Sequence, residues 1–484
     1  MKKEELLKQN KKLVEQNKLL LQELAELKKL IFGSKRERFI PDVPSDQLGL
    51  FSQDKEEEEV DPVIEKERIS YERTKKKHTG RQALPEHLPV EEIIIEPQGD
   101  LTDTKVIGQD VTETLKYTPA SLVKIRTIRP RRVKAYDNGH QTIIQAELPV
   151  RSFPKIIAEN SLLAHIIVSK FIDHLPFYRQ IQRFKRDYDW TLSKSTVNDW
   201  FIAVCTLLEP LYQTMIDKLL QSEYIQADES HIKVQDSDKK GTTHQGYQWV
   251  YRSPQSGIVI FHYRKGRGVH GPKEFLKGYE GYLQSDGYKV YDKIGQNPKI
   301  TLVGCHVHAR RYFIKAKEAG DKRAERVLQW YQQIYQLEKK GKDLNVQERK
   351  QHRDVHIKPI LEQMKLWLDK NYPIELPKSP LGKAIQYSLH QWPKLIKVLD
   401  DGPLELDNNL IENKIRPLAL GRKNYLFAGS HAAAQRIAIM YSFFATCKSN
   451  NVNPYSWLNN TLEVISEYNI QNLEELIPRG SMQK

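Results

Sequence analysis

Two strand-length apolar runs, each ending on an aspartate, constrain this chain more than any other feature. Tyr224-Ile225-Gln226-Ala227 runs into Asp228, and Tyr282-Leu283-Gln284-Ser285 runs into Asp286. Tyr247 to Tyr251, Ile258 to Tyr263 and Ile300 to Val303 read as further strands, the last leading towards Cys305. A helical tract then covers residues 309–399, with Val327, Trp330, Tyr331, Ile334, Tyr335 and Leu337 at three- and four-residue steps. Strands succeeded by helices point to an α/β sheet. An acid at the C-terminal edge of a strand in such a sheet faces the crevice where ligands bind.

At 484 residues the chain exceeds one ordinary hydrophobic core, so three or more units are expected. Residues 1–40 read as a coiled-coil oligomerisation helix. Leu6, Leu13, Leu20 and Leu27 take the d positions, with Lys3, Asn10, Asn17, Leu24 and Ile31 at a. Leucine at d with asparagine at a suits a register-fixed parallel dimer; a lone amphipathic helix lying on its own protein is the alternative. Residues 41–79 read as a flexible linker, with an acidic run Glu56 to Glu59 and a basic run Lys75 to Lys77.

Residues 80–150 switch to short alternating runs, with Asn138-Gly139 as a hairpin turn, and form a small β-rich unit. Here Lys124, Arg126, Arg129, Arg131, Arg132 and Lys134 cluster with no acid between them. On an extended chain Lys124 and Arg126 share one face, as either a nucleic-acid surface or a solvated strand face. Residues 151–221 look helical. A helix starting around His174 to Arg179 carries Arg183, Lys185 and Arg186, and Leu192 to Trp200, including Lys194, opens a second behind a Ser or Thr cap. Such a pair matches a helix-turn-helix reader of the major groove, although short helical pairs are also common structural elements. Residues 401–460 are mostly helical, and 461–484 form a tail.

The 76 basic residues against 62 acidic ones leave a net charge of +14, which suits a polyanionic partner. Apolar runs stay well short of bilayer-spanning length, so no membrane partner is expected. The opening Lys2-Lys3-Glu4-Glu5 is unlike a signal peptide. Three widely spaced cysteines (Cys205, Cys305 and Cys447) argue against a disulfide framework and fit a reducing cytoplasm.

A third acid, Glu412, follows Asp407-Asn408-Asn409, a start that suits a helix cap and sets Glu412 on the first turns of a helix. Asp228, Asp286 and Glu412, converging from separate elements, would form a hard oxygen site for two Mg²⁺ or Mn²⁺ ions. Two such ions activate a water or a 3′-hydroxyl and stabilise the leaving oxygen of a phosphodiester. By spacing alone Glu229, Asp236, Asp238, Asp292, Glu405 and Asp407 remain substitutes.

The run from Asn408 to Ser430, with Glu412-Asn413-Lys414-Ile415-Arg416-Pro417-Leu418 and Gly421-Arg422-Lys423-Asn424-Tyr425 at its centre, resembles the C-terminal signature of insertion-sequence-66-type transposases. Ala227-Asp228-Glu229-Ser230, Gln284-Ser285-Asp286-Gly287-Tyr288, Cys305-His306-Val307-His308-Ala309-Arg310-Arg311 and the segment Leu30 to Glu37 resemble that family too, in order along nearly the whole chain. The resemblance implies a multidomain α+β protein with a ribonuclease-H-like catalytic domain. Its catalytic and metal-holding acids are Asp228, Asp286 and Glu412. The core is expected over 222–308 and 401–460, with a helical insertion at 309–400. Such proteins usually carry a zinc module with paired Cys-x-x-Cys motifs, but no cysteine precedes Cys205, so no zinc is expected.

Cys305 and His308 offer too few ligands for zinc and are expected near the active site in a packing or DNA-positioning role. Arg416, Arg422 and Lys423 are candidates for gripping phosphates, and Lys265-Gly266-Arg267-Gly268 for tracking them. The expected activity is cleavage and joining of double-stranded DNA at an element's inverted-repeat ends and its target. The expected setting is the nucleoid of a bacterial cytoplasm, with a homodimer or larger assembly on DNA and small accessory proteins. A catalytically silent DNA-binding protein of the same fold is the main alternative, and a nuclease that never joins strands is another.

Overall fold

Alternating β-branched and basic residues build the first sheet. It consists of β1 (Val90–Ile94), β2 (Thr104–Thr118), β3 (Ser121–Ala135) and β4 (Gln141–Ile144). β2 pairs antiparallel with one edge of β3; along the other edge lie β1, parallel, and β4, antiparallel. The computed structural model describes residues 88–99, 104–118, 121–135, 141–235 and 241–479. The expected zipper and linker, the Asn138-Gly139 turn, Asp236 and Asp238 lie outside the described residues. Leu115 fastens this sheet to the strand-like segment at Ile157 to Glu159: its N–H donates to Ile157 O and its carbonyl accepts from Glu159 N, both at 2.8 Å.

Three helices come next: α1 (Asn160–Phe171), α2 (Phe177–Tyr188) and α3 (Lys194–Leu220). Pro176 precedes α2 with the fixed φ that opens a helix, and Asp189, in the left-handed region at φ 47°, ends it. Ser193 caps α3 by accepting from Thr196 N at 2.9 Å. Beyond its first turn α3 is core, burying Val197, Trp200, Phe201, Val204, Leu208, Leu211 and Met215 at helical spacing.

The second sheet contains β5 (Tyr224–Gln235), β6 (Thr243–Arg252), β7 (Val259–Arg264), β8 (Gly281–Gln284) and β9 (Ile300–Val303), in the order β7-β6-β5-β8-β9. The first three strands are antiparallel neighbours, while β8 and β9 run parallel to β5. Two short helices, α4 (His270–Phe275) and α5 (Lys289–Ile294), connect the strands. A parallel return needs such a crossover.

Helices α6 (His306–Glu318), α7 (Ala324–Lys340), α8 (Val346–His352), α9 (Lys358–Asn371) and α10 (Pro380–Leu395) come after β9, then α11 (Asn409–Tyr425), α12 (His431–Ser449) and α13 (Pro454–Val464). The helices α6 to α10 close over their own core of Phe313, Val327, Tyr331, Ile334, Leu361, Met364, Ile385 and Leu395. A second core joins α1–α3, the five-stranded sheet and α11–α13. Along the sheet's edge, buried Ser442 and Thr446 of α12 accept from Phe261 N at 2.8 Å and Val259 N at 3.0 Å. Two of the edge strand's outward donors are thereby satisfied, as a buried edge requires.

Candidate active site

Two neighbouring strands bring the first two acids close. β5 and β8 are parallel neighbours with Gln226 opposite Gln284; Asp228 lies two residues further along β5, and Asp286 two residues past the end of β8. Positions two apart on a strand share a face, and adjacent strands run about 4.8 Å apart. The two glutamines show that this face is shared, because Gln226 Nε2 donates to Gln284 Oε1 at 2.8 Å. Asp228 Oδ1 accepts from Glu229 N at 2.8 Å, and Asp286 Oδ1 from Tyr288 N at 3.0 Å.

The third acid arrives through a loop held from below. Gln284 Nε2 donates to Glu405 O at 2.7 Å, and Gln226 Nε2 to Asp407 O at 3.2 Å. Arg252 steadies Gln226 at 2.9 Å. The N-cap residue Asn408 makes no side-chain cap; instead Asp407 Oδ1 accepts from Asn409 N, the first N–H of α11, at 3.0 Å, and the first turn of α11 carries Glu412.

Burial raises the Asp228 pKa well above the usual carboxylate range, reinforced by the charges of Glu229, Asp286 and Glu412. Burial also raises Asp286. Glu229 is pushed up to about 6, first by burial and then by Asp286, even though Arg267 grips it at 2.7 Å and 2.9 Å. Arg267 lies over the Tyr288 ring, 4.2 Å from its centre. Four acids thus share one electrostatic neighbourhood. Among the described residues, however, no three His, Cys, Asp or Glu side chains are gathered tightly enough to hold an ion as they stand. Glu412 is engaged elsewhere: Arg311 Nη2 donates to both its oxygens, at 3.3 Å and 3.0 Å.

Asp228 and Asp286 supply the hard oxygen donors that a divalent cation prefers, and Glu412 would complete the set on leaving Arg311. His308 Nε2 comes within 3.8 Å of Glu412, yet this is no ion pair. Burial and the neighbouring Arg311 push the imidazole down to about 4. His308 is therefore neutral near pH 7, and Nε2 accepts from Arg311 Nη1 at 3.2 Å. Cys305 is buried at the start of α6, and burial raises its thiol pKa.

The family model described as "Transposase IS66 family" matches residues 155–436, more than half of the chain and all three acids. The chain belongs to the IS66 transposase family. The model "Transposase C of IS166 homeodomain" matches residues 19–93, and "IS66 C-terminal element" matches 442–478. Two curated relatives are the uncharacterized proteins y4jD and y4hP of Sinorhizobium fredii. The first is 32% identical over 82% of this chain and 81% of the relative; the second is 31% identical over 83% and 77%. A third, y4qI, is 29% identical over 94% and 87%. Membership of the IS66 family implies insertion-sequence transposase function and, with it, DNA binding. Among the described residues no helix is long and apolar enough to cross a membrane.

The other acids left open by spacing have separate duties. Asp292 pairs with Lys394, Glu405 with Arg349 at 3.2 Å, and Asp407 accepts from Tyr335 at 2.9 Å. The basic cluster on β3 meets acids that a linear reading does not foresee. Lys124 is only 5% exposed and lies 3.7 Å from Glu113, which corrects its reading as a surface contact. Arg126 pairs with Glu92 and Glu113, Arg129 and Arg131 with Asp110, and Arg132 with Glu96. Arg183 lies 3.9 Å from Asp187, and Lys194 is exposed at the start of α3. Arg422 braces α11 on β5 by donating to Ser230 Oγ at 3.0 Å and His231 O at 2.8 Å. Lys423 is exposed and Arg416 half-buried. Arg311, Gln226 and Gln284 are site residues that sequence reasoning misses. Arg311 does close the family-resembling run Cys305 to Arg311 and lies one helical turn from His308, but neither sign ties it to Glu412.

Proposed function

We propose that this IS66-family protein is an active DDE-type transposase with a ribonuclease-H-like catalytic domain, interrupted by the helices between β9 and α11. Asp228, Asp286 and Glu412 are its metal-holding acids. The supporting observation is that Asp228 on β5 feels the charge of Asp286, just past the end of neighbouring parallel β8, with the charge of Glu412 also reaching Asp228. Two Mg²⁺ or Mn²⁺ ions bound there supply an activated oxygen nucleophile and charge stabilisation on the leaving oxygen. The chain's own residues orient them: the glutamines fix the loop that delivers Glu412, and α11 presents it. Exposed Lys194 and Lys423, with Arg183 and Arg416, are the basic residues proposed to track DNA phosphates. Zinc has no role in this reading. Synapsis of two element ends requires at least two protomers, which the N-terminal heptads would supply. Accessory proteins, and action on the nucleoid in a bacterial cytoplasm, belong to the same reading.

One observation favours a catalytically silent DNA-binding protein instead: Glu412 is paired with Arg311 rather than gathered with the aspartates. The test is incubation with Mg²⁺, a duplex carrying the element's inverted repeat, and a plasmid target. Nicking at the repeat boundary followed by joined product is expected. Binding without nicking would select the silent protein, and nicking without joining a nuclease.

A further inference from the structure

We infer that Arg311 is a positioning residue that latches Glu412 outside the metal site until a divalent ion competes for the carboxylate. This rests on the metal-site reading proposed above. Arg311 Nη2 reaches both oxygens of Glu412, at 3.3 Å and 3.0 Å, while Nη1 donates to His308 Nε2 at 3.2 Å. The guanidinium is therefore held from two sides, by its own helix α6 and by α11. Both partners are largely shielded, with the Glu412 side chain 22% exposed and that of Arg311 33%. Both carboxylate oxygens accept from the single nitrogen Nη2 while Nη1 is spent on His308, so the contact is a charge-assisted pair held by its anchor on α6.

The same contact accounts for the absence, among the described residues, of three gathered ligands. Asp228 is fixed by its place in β5, and both aspartates by backbone donors, so they have little freedom. Glu412 is the movable member, a long side chain on the first turn of α11. A divalent cation and a guanidinium cannot both sit on one carboxylate in a shielded site without strong repulsion. Handing over Glu412 leaves Arg311 tethered to His308.

The test is Mn²⁺ affinity of the full-length protein without DNA, read from the resonance signal of free Mn²⁺. Arg311→Gln should bind on the order of fivefold tighter than wild type, because Glu412 no longer has to be released. Arg311→Lys, which keeps the charge but loses the second arm that anchors Arg311 to His308, should fall between them and carries the comparison should Arg311→Gln not fold. In a Glu412→Gln background the gain from Arg311→Gln should vanish. Equal affinity in wild type and Arg311→Gln would overturn the latch. A gain that persists without Glu412 would also overturn it, since bulk charge would then be the cause. No Mn²⁺ binding in any of these proteins would remove the metal-site reading itself, and the latch with it.

Discussion

Asp228 carries the largest electrostatic burden in the molecule's acidic centre. Burial and three neighbouring acids hold its pKa up in the folded chain, whereas in the unfolded chain it titrates near the ordinary aspartate value of about 4. Between those two values the folded state binds the extra proton, so stability falls as pH rises through that window. Asparagine has the same shape, can still accept from Glu229 N, and does not ionise. Asp228→Asn should therefore stabilise the metal-free protein at pH 7.5 by about 1 kcal/mol. The gain should shrink towards zero near pH 4. Urea unfolding at several pH values checks this, and a difference independent of pH would contradict the electrostatic origin. At this scale the aspartates are legible in sequence because each ends an apolar run. Arg311 is not, because its partner lies 101 residues away and only the folded chain brings the two side chains together.

At the scale of elements, the loop between α10 and α11 is the part least visible in sequence. Buried Arg353, on a π-helical turn between α8 and α9, donates to Val398 O, Asp401 O, Gly402 O and Leu404 O and pairs with Glu338. A wide turn of this kind often marks a functional position in a helix. Here it spends one arginine on four carbonyls of the segment leading to Glu412. Arg353→Met should cost about 3–5 kcal/mol in urea unfolding, since it strands those carbonyls without a donor and leaves Glu338 with Arg349 alone. A loss below about 1 kcal/mol would show that water replaces the guanidinium. Helical spacing through Val327, Trp330, Tyr331 and Ile334 makes the helical tract after β9 readable, and those residues do form its core. Polar Gln226 and Gln284 read as blemishes in two apolar runs. Their purpose appears only when the register brings them together under the loop that holds Glu405 and Asp407.

At the scale of the whole molecule, the IS66 family assignment and the two sheets carry different weights. The assignment rests on motifs that occur in order along the chain, and these are legible without any knowledge of the fold. The neutralisation of the β3 cluster is not, because its acids come largely from β1 and β2, which lie beside β3 only after pairing. An excess of positive charge in composition therefore does not locate a DNA surface; strand pairing decides which arginines remain available. Cleavage at the acidic centre is the property on which the reading of the whole molecule turns. The most direct measurement is metal-dependent nicking of labelled inverted-repeat DNA by wild type and Glu412→Gln, with DNA binding measured in parallel. Wild type should nick at the repeat boundary in Mg²⁺ or Mn²⁺, while Glu412→Gln should bind equally well and cut at least about a hundredfold more slowly. Undiminished cutting by Glu412→Gln would contradict the assignment of the third acid.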